Sequence, residues 1–324
     1  MVTIEDVKKA QRNIRGTAER TPLIFSESLS KKTGAEIYLK LDTLQPTGSF
    51  KIRGAANAVA RLSEEERKNG IVTASTGNFG RALSYAGKQA GVPVTVCLSR
   101  LVPQNKVDAV RELGATVEIC GNTQDDAMAR AAELVETQQM KMISPFDDAD
   151  VIAGQGTIGL EILEDLPDTD MAVIALSGGG LIAGTALALK HEKPDIGVTG
   201  VSTRQCPAMY ESLKAGHPVD VPEHESVADS LGGGIGLENR YSFAMVRDLV
   251  GAENIVLLAE DEIKEGMRAL HEAENIVAEG GGAVGVAALL SGKIKNEDIQ
   301  GKKIVCHISG GNVAEDVFAK IVTA

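Results

Sequence analysis

The chain reads as an α/β protein with two open, mostly parallel twisted sheets flanked by helices, and three observations point that way. Short β-rich runs alternate with segments of helical length and period. Several runs are apolar on consecutive positions, as in Met171-Ala-Val-Ile-Ala-Leu176, the pattern of parallel strands covered on both faces. Glycine and small polar residues follow directly after some of them, at the carboxyl edge where open sheets bind ligands.

In chain order, strands are expected over 37–41, 71–75, 94–99, 116–121, 142–144, 171–176, 198–202, 255–258 and 304–309. Helices are expected between most of them, among them 81–90, 104–113, 125–138 and 181–190. The most even alternation runs from Ile71 to about Pro145. A small domain over 67–146 is therefore expected inside a larger one formed by 1–66 and 147–324.

Composition narrows the function. The 324 residues hold 33 Lys+Arg against 45 Asp+Glu, a formal charge of −12, which argues against nucleic acid or an anionic membrane as partner. No Trp and 3% aromatics argue against a base-stacking platform or an aromatic carbohydrate cleft as well. Cys97, Cys120, Cys206 and Cys306 form no CxxC pair, and the histidines form no ligand pattern; His271-Glu272 begins like HExxH, but Asn275 stands where the second His belongs. Reduced thiols and no metal are expected. Residues 1–16 lack an apolar signal core and no apolar run reaches membrane-spanning length, so a cytoplasmic protein is expected.

The glycines cluster where chemistry would sit. Ser75-Thr76-Gly77-Asn78-Phe79-Gly80 joins a strand to a helix, and reads either as a capped Asn/Gly turn or as a loop whose backbone closes on a ligand. Ser177-Gly178-Gly179-Gly180-Leu181 leads into a helix, and its exposed N–H groups at a positive helix end suit a phosphate. Counted from Gly178 the spacing is GxGxxxG, one residue longer than the dinucleotide fingerprint, and no GK[ST] follows. Ser309-Gly310-Gly311-Asn312 and the runs 232–234 and 280–282 are tight turns or further parts of one site. Lys51, between Phe50 and Ile52, is either a solvated lysine or an amine whose proton is loosened by apolar neighbours and the helix dipole, as imine chemistry needs.

Together, Ser49-Phe50-Lys51, Ser75-Thr76-Gly77-Asn78, the 177–180 glycines and Ser309-Gly310-Gly311-Asn312 resemble the pyridoxal-phosphate enzymes of the tryptophan-synthase-β type (fold type II), in their threonine/serine dehydratase and serine racemase branch. The resemblance runs from Thr21-Pro22-Leu23 to Asn312 and includes the stretch 151–161. It implies pyridoxal 5'-phosphate held between the two domains, with Lys51 carrying it as an imine and then taking the substrate Cα proton. It implies Phe50 beside the ring, Asn78 on the 3-hydroxyl, Ser309 at the pyridine nitrogen, and Glu279 among the cofactor contacts. Gly178, Gly179, Gly180 and Leu181 would hold the phosphate. Ser75, Thr76, Gly77, Asn78 and Phe79 would face the amino-acid substrate, with Thr76 also a catalytic hydroxyl; Arg81, a cation in the first turn of a helix, reads either as an exposed surface arginine or as a substrate-binding contact to an anionic group. The implied reaction is loss of water from a 3-hydroxy amino acid, giving a 2-oxo acid and ammonia, by a homodimer. Racemisation and β-replacement on the same cofactor are the alternatives.

The sequence departs from that branch in four places. Phe79 replaces the usual His, and Thr76 replaces the racemase serine with a stiffer hydroxyl. Ser202 and Ala208, with Cys206 between them, stand where racemases have a carboxylate pair for a divalent metal, so no metal is expected. The chain ends at Ala324, and the regulatory domain of biosynthetic threonine dehydratases is not expected. Residues 75–83 and 98–107 look most similar to the hydroxyectoine-utilisation dehydratases, which implies a hydroxylated diamino acid as substrate.

Overall fold

The computed structural model describes residues 1–75, 77–102 and 104–323, save the side chains of Asn105 and Asn296. Ten strands are present among them: β1 (Leu23–Phe25), β2 (Glu36–Leu41), β3 (Ile71–Thr73), β4 (Val94–Leu98), β5 (Thr116–Ile119), β6 (Lys141–Met142), β7 (Met171–Ala175), β8 (Gly197–Thr203), β9 (Ile255–Leu258) and β10 (Lys303–Ile308). They form a six-stranded sheet in the order β1-β2-β10-β7-β8-β9 and a four-stranded sheet in the order β5-β4-β3-β6. Every pairing is parallel except β1 with β2. The smaller sheet is built wholly from chain that leaves the larger one after β2 and returns at β7.

Strand ends fall one or two residues short of the sequence reading at most carboxyl edges. Ala74 and Ser75 leave the ladder after β3, and Leu176 and Ser177 leave it after β7, because the chain turns there into the small-residue loops. β1 was not foreseen. It has three residues, follows Pro22 and pairs only along an edge, Leu23 opposite Lys40 and Phe25 opposite Tyr38, so it is too short to show a period. The helix after the first loop starts at Asn78 and runs to Ala90, three residues ahead of the sequence reading.

Helix Ala149–Asp165 is the spine between the sheets, and its glycines explain the stretch that reads Val-Ile-Ala-Gly-Gln-Gly-Thr-Ile-Gly. A Cβ on Gly154 would lie 2.6 Å from the Gly54 Cα of helix Lys51–Ala60, and one on Gly156 would lie 2.9 Å from the Gly184 carbonyl of helix Gly180–Glu192. Backbones therefore touch at both crossings, which side chains would forbid. Helix Lys51–Ala60 packs on both lobes. Its Ile52, Ala55 and Val59 join Ile71, Phe79 and Leu83 in one buried cluster, while its glycine face seats on the spine.

Gly154→Val should cost about 1–3 kcal/mol or more, as overpacking does. Denaturant unfolding measures it, and an unchanged midpoint would contradict the close crossing.

Candidate active site

Four chain segments converge at the carboxyl ends of the two sheets. After β2 a 3-10 turn, Asp42–Leu44, leads into residues 45–50, which run alongside the exit of β10. Ser49 bridges to Gly310, the Phe50 N–H donates to the Ser309 carbonyl (2.9 Å), and the Gly311 N–H donates to the Gly48 carbonyl (2.9 Å). Gly48 sits at φ +73°, a conformation glycine adopts without strain, so this stitching brings Lys51 next to Ser309.

Lys51 is half-buried. Its Nζ donates to the Pro145 carbonyl (2.9 Å) and lies 5.1 Å from the Phe50 ring centroid and 5.8 Å from that of Phe79. Burial pushes the amine down to about 8, and the Glu279 carboxylate opposes that fall. An amine in this range is free base for a useful fraction of time near neutral pH, the condition for attack on an aldehyde.

Glu279 is buried and pushed up to about 7 by burial, with hydrogen bonds from Asn78 and Ser230 offsetting part of the rise. Asn78 donates its amide nitrogen to Glu279 (2.8 and 3.1 Å) and accepts at Oδ1 from Asn312 Nδ2 (2.6 Å). That leaves Oδ1 one lone pair for a further partner. Asn312 Nδ2 also donates to the Thr47 carbonyl (2.9 Å). A chain of hydrogen bonds thus crosses between the two sheets from Thr47 through Asn312 and Asn78 to Glu279.

The 177–180 turn follows β7 and starts helix Gly180–Glu192, whose N-cap Gly179 has φ +89° and no side-chain cap bond. The first-turn N–H groups have no intrahelical acceptor and point outward at the positive helix end. Gly178 packs against the Phe146 ring and Gly180 against the Phe146 backbone, so residues 145–146 connect the Lys51 amine to this turn. Ser309 Oγ donates to the Gly281 carbonyl (3.3 Å), and Ser49 Oγ is buried without a partner among the described residues.

Phe50, Lys51, Asn78, Glu279 and Ser309 therefore come together, with Gly178, Gly179, Gly180 and Leu181 at one end of the same edge. Ser75, Gly77, Phe79 and Arg81 lie at or just inside the start of helix Asn78–Ala90. Phe79 is 1% exposed, so it walls the amine from within the core. Arg81 is half-buried, its Nε unpaired among the described residues. Thr76 lies outside the described residues. Pro145, Asn312 and Ser230 were missed. Asn312 stood within a quoted glycine run, whereas a backbone carbonyl such as that of Pro145 leaves no mark in a sequence. Cys206 Sγ turns to the Gly233 carbonyl (3.6 Å), and no group of three His, Cys, Asp or Glu side chains among the described residues is placed to hold a metal. No helix among them is long and apolar enough to cross a membrane.

A lowered amine, bare N–H groups at a helix end and an unpaired buried hydroxyl fit a phosphorylated aldehyde cofactor. Comparison agrees: residues 14–310 match the model of the pyridoxal-phosphate dependent enzyme family. The L-threonine ammonia-lyase of Thermotoga maritima is 43% identical over 99% of this chain and 78% of its own length. The catabolic L-threonine dehydratase of Escherichia coli K12 is 39% identical over 96% and 93%. The solved structure of maize serine racemase superposes with a TM-score of 0.92 at 30% identity, covering 98% of this chain and 96% of that one. The chain belongs to the pyridoxal-phosphate dependent enzymes of fold type II, and within them to the threonine/serine dehydratase family.

Glu279→Gln should move Lys51 further below about 8, because the carboxylate charge that favours the ammonium is gone. The pH midpoint of Lys51 acylation in the apo protein, read by mass spectrometry, reports this. A midpoint that stays put or rises would contradict the coupling.

Proposed function

We propose that this lyase eliminates water from a threonine- or serine-like 3-hydroxy amino acid. The α-proton and then the hydroxyl leave, and hydrolysis of the released enamine-imine gives a 2-oxo acid and ammonia, returning the water. The observation that carries this is the Lys51 amine, fenced by Phe50 and Phe79 and within hydrogen-bond distance of only a carbonyl among the described residues.

When bound, the cofactor supplies the electron sink for the Cα–H bond. Phe50 would flank its ring, and the N–H groups at 178–181 would hold its phosphate. Asn78, braced by Glu279 and Asn312, presents its remaining lone pair to the ring hydroxyl. Lys51 Nζ takes the Cα proton, being already depressed toward neutrality. Ser309 would place a neutral hydroxyl at the ring nitrogen, a weaker partner for it than a carboxylate, which suits loss of a β-hydroxyl better than repeated exchange of the Cα proton. Backbone N–H groups at Ser75, Gly77 and Asn78 would grip the substrate carboxylate, and the Thr76 hydroxyl is the proposed further catalytic group.

The finer reading extends the same proposal. Residues 67–146 act as the substrate-gripping domain, and 1–66 with 147–324 as the cofactor domain. Phe79 and Arg81 set the substrate side chain, and a hydroxyectoine-derived diamino acid is the specific candidate. The enzyme works as a cytoplasmic homodimer.

Ammonia and 2-oxo acid should appear together from the holoenzyme on a panel of L-threonine, L-serine, 3-hydroxyaspartate and hydroxyectoine-derived diamino acids, and Lys51→Ala should abolish both. A cofactor-loaded enzyme silent on the whole panel would sink the elimination reading. Product that changes when sulfide is added would move it to β-replacement.

A further inference from the structure

We propose that Arg53 is the positioning residue for Lys51, and that the buried charges around it hold the reactive amine in place rather than adding stability to the fold. The inference rests on Lys51 being the cofactor-bearing amine.

Helix Lys51–Ala60 has little of its own to fix its start. Phe50 at the N-cap makes no side-chain cap bond, the first turn holds no acidic residue, and Lys51 and Arg53 both place a cation at the positive end of the helix. Arg53 supplies the missing anchor. It is fully buried, and its donors are all used. Nε donates to Asp42 Oδ2 (2.9 Å), and Nη2 to Asp42 Oδ1 (2.8 Å) and Glu161 Oε2 (3.0 Å). Nη1 donates to Glu161 Oε1 (2.6 Å) and Thr157 Oγ1 (3.2 Å). Lys40 Nζ lies 2.7 Å from Glu161 Oε2, and His307 Nε2 lies 3.1 Å from Asp42 Oδ2. One guanidinium therefore ties the Lys51 helix to the end of β2, to the spine helix and, through Asp42, to β10. Lys40 and Arg53 balance Asp42 and Glu161. Although burial opposes it, the Arg53 charge and the His307 hydrogen bond keep Asp42 well below the usual carboxylate range.

Geometry assigns the cluster its role. Residues two apart on a helix lie roughly 200° apart, so Arg53 grips the face opposite Lys51. It locks the roll of the helix about its axis. An extended lysine amine sits about 8 Å from that axis, so a roll of about 20° would move it about 3 Å. Misplacement of about 1 Å can cost about 100-fold in rate. Buried ion pairs return little net stability, because desolvation offsets their attraction. What a two-pronged guanidinium–carboxylate contact does offer is fixed geometry.

Two variants separate position from stability. Arg53→Lys keeps the charge and loses the fork. Lys40→Met and Arg53→Met combined with Asp42→Asn and Glu161→Met removes the charges of both signs at similar volume and keeps an acceptor at 42 for Thr21, Gln45 and His307. For each, four quantities are read: the denaturant midpoint, the visible absorbance of lysine-bound cofactor, the acylation midpoint of Lys51 in the apo protein, and kcat and KM on the best substrate of the panel. Arg53→Lys should fold, shift the acylation midpoint away from the wild-type value and lower kcat about 100-fold with little change in KM. The quadruple variant, which leaves no member of the Lys40–Glu161–Arg53–Asp42 set charged, should hold or exceed the wild-type denaturant midpoint and show the same loss of kcat. A lowered denaturant midpoint in Arg53→Lys, with its acylation midpoint and kcat unchanged, would make the cluster structural and overturn the inference. If the wild-type protein carries no lysine-bound cofactor, the cofactor reading fails separately, and the acylation midpoint of Arg53→Lys still decides the role of Arg53.

Discussion

A primary amine that must lose its proton near neutral pH cannot sit in water, and it cannot be buried without a partner either. Lys51 meets both demands with one carbonyl acceptor, two aromatic walls and a carboxylate that is itself pushed toward neutrality. The rest of the molecule is arranged to keep that compromise in place. The parallel strands deliver four loops to one edge, and the stitch between residues 48–50 and 309–311 sets the amine beside Ser309.

Close helix crossing supplies the rigidity. Glycine at 54 and 154 lets the helix bearing Lys51 lie directly on the spine, and the Arg53 fork fixes its roll. Lys51 and Arg53 are two residues apart, yet one faces the cleft and the other a closed cage of charge. Phe79 belongs to the same logic, a ring in the core of the smaller sheet that also reaches the amine. The hydrogen-bonded line from Asn312 through Asn78 to Glu279 spans the two sheets, so the smaller lobe is tied to the larger one through the site itself.

Much of this was legible beforehand, for physical reasons. Strands such as 171–175 and 255–258 declare themselves by unbroken apolar runs, and the phosphate turn by glycines that a plain turn would not need. β1 was not legible, since three residues at an edge carry no period. Nor was the charge cage. Arg53, Lys40, Glu161 and His307 are spread over four elements, and each alone reads as a polar residue on a solvated face. Their one signal is a lone charge in an otherwise apolar or small-residue run, as Glu161 is between Leu160 and Ile162. A backbone acceptor such as Pro145 is invisible in principle, because every residue has a carbonyl.

The central claim is that Lys51 takes the Cα proton and the β-hydroxyl leaves before a proton returns to the other face. The direct measurement is the partition between ammonia and the opposite enantiomer when the holoenzyme turns over L-serine or L-threonine. Ammonia in large excess, with recovered substrate unchanged in hand, is the expected result. Enantiomer forming as fast as ammonia, or without it, would contradict it.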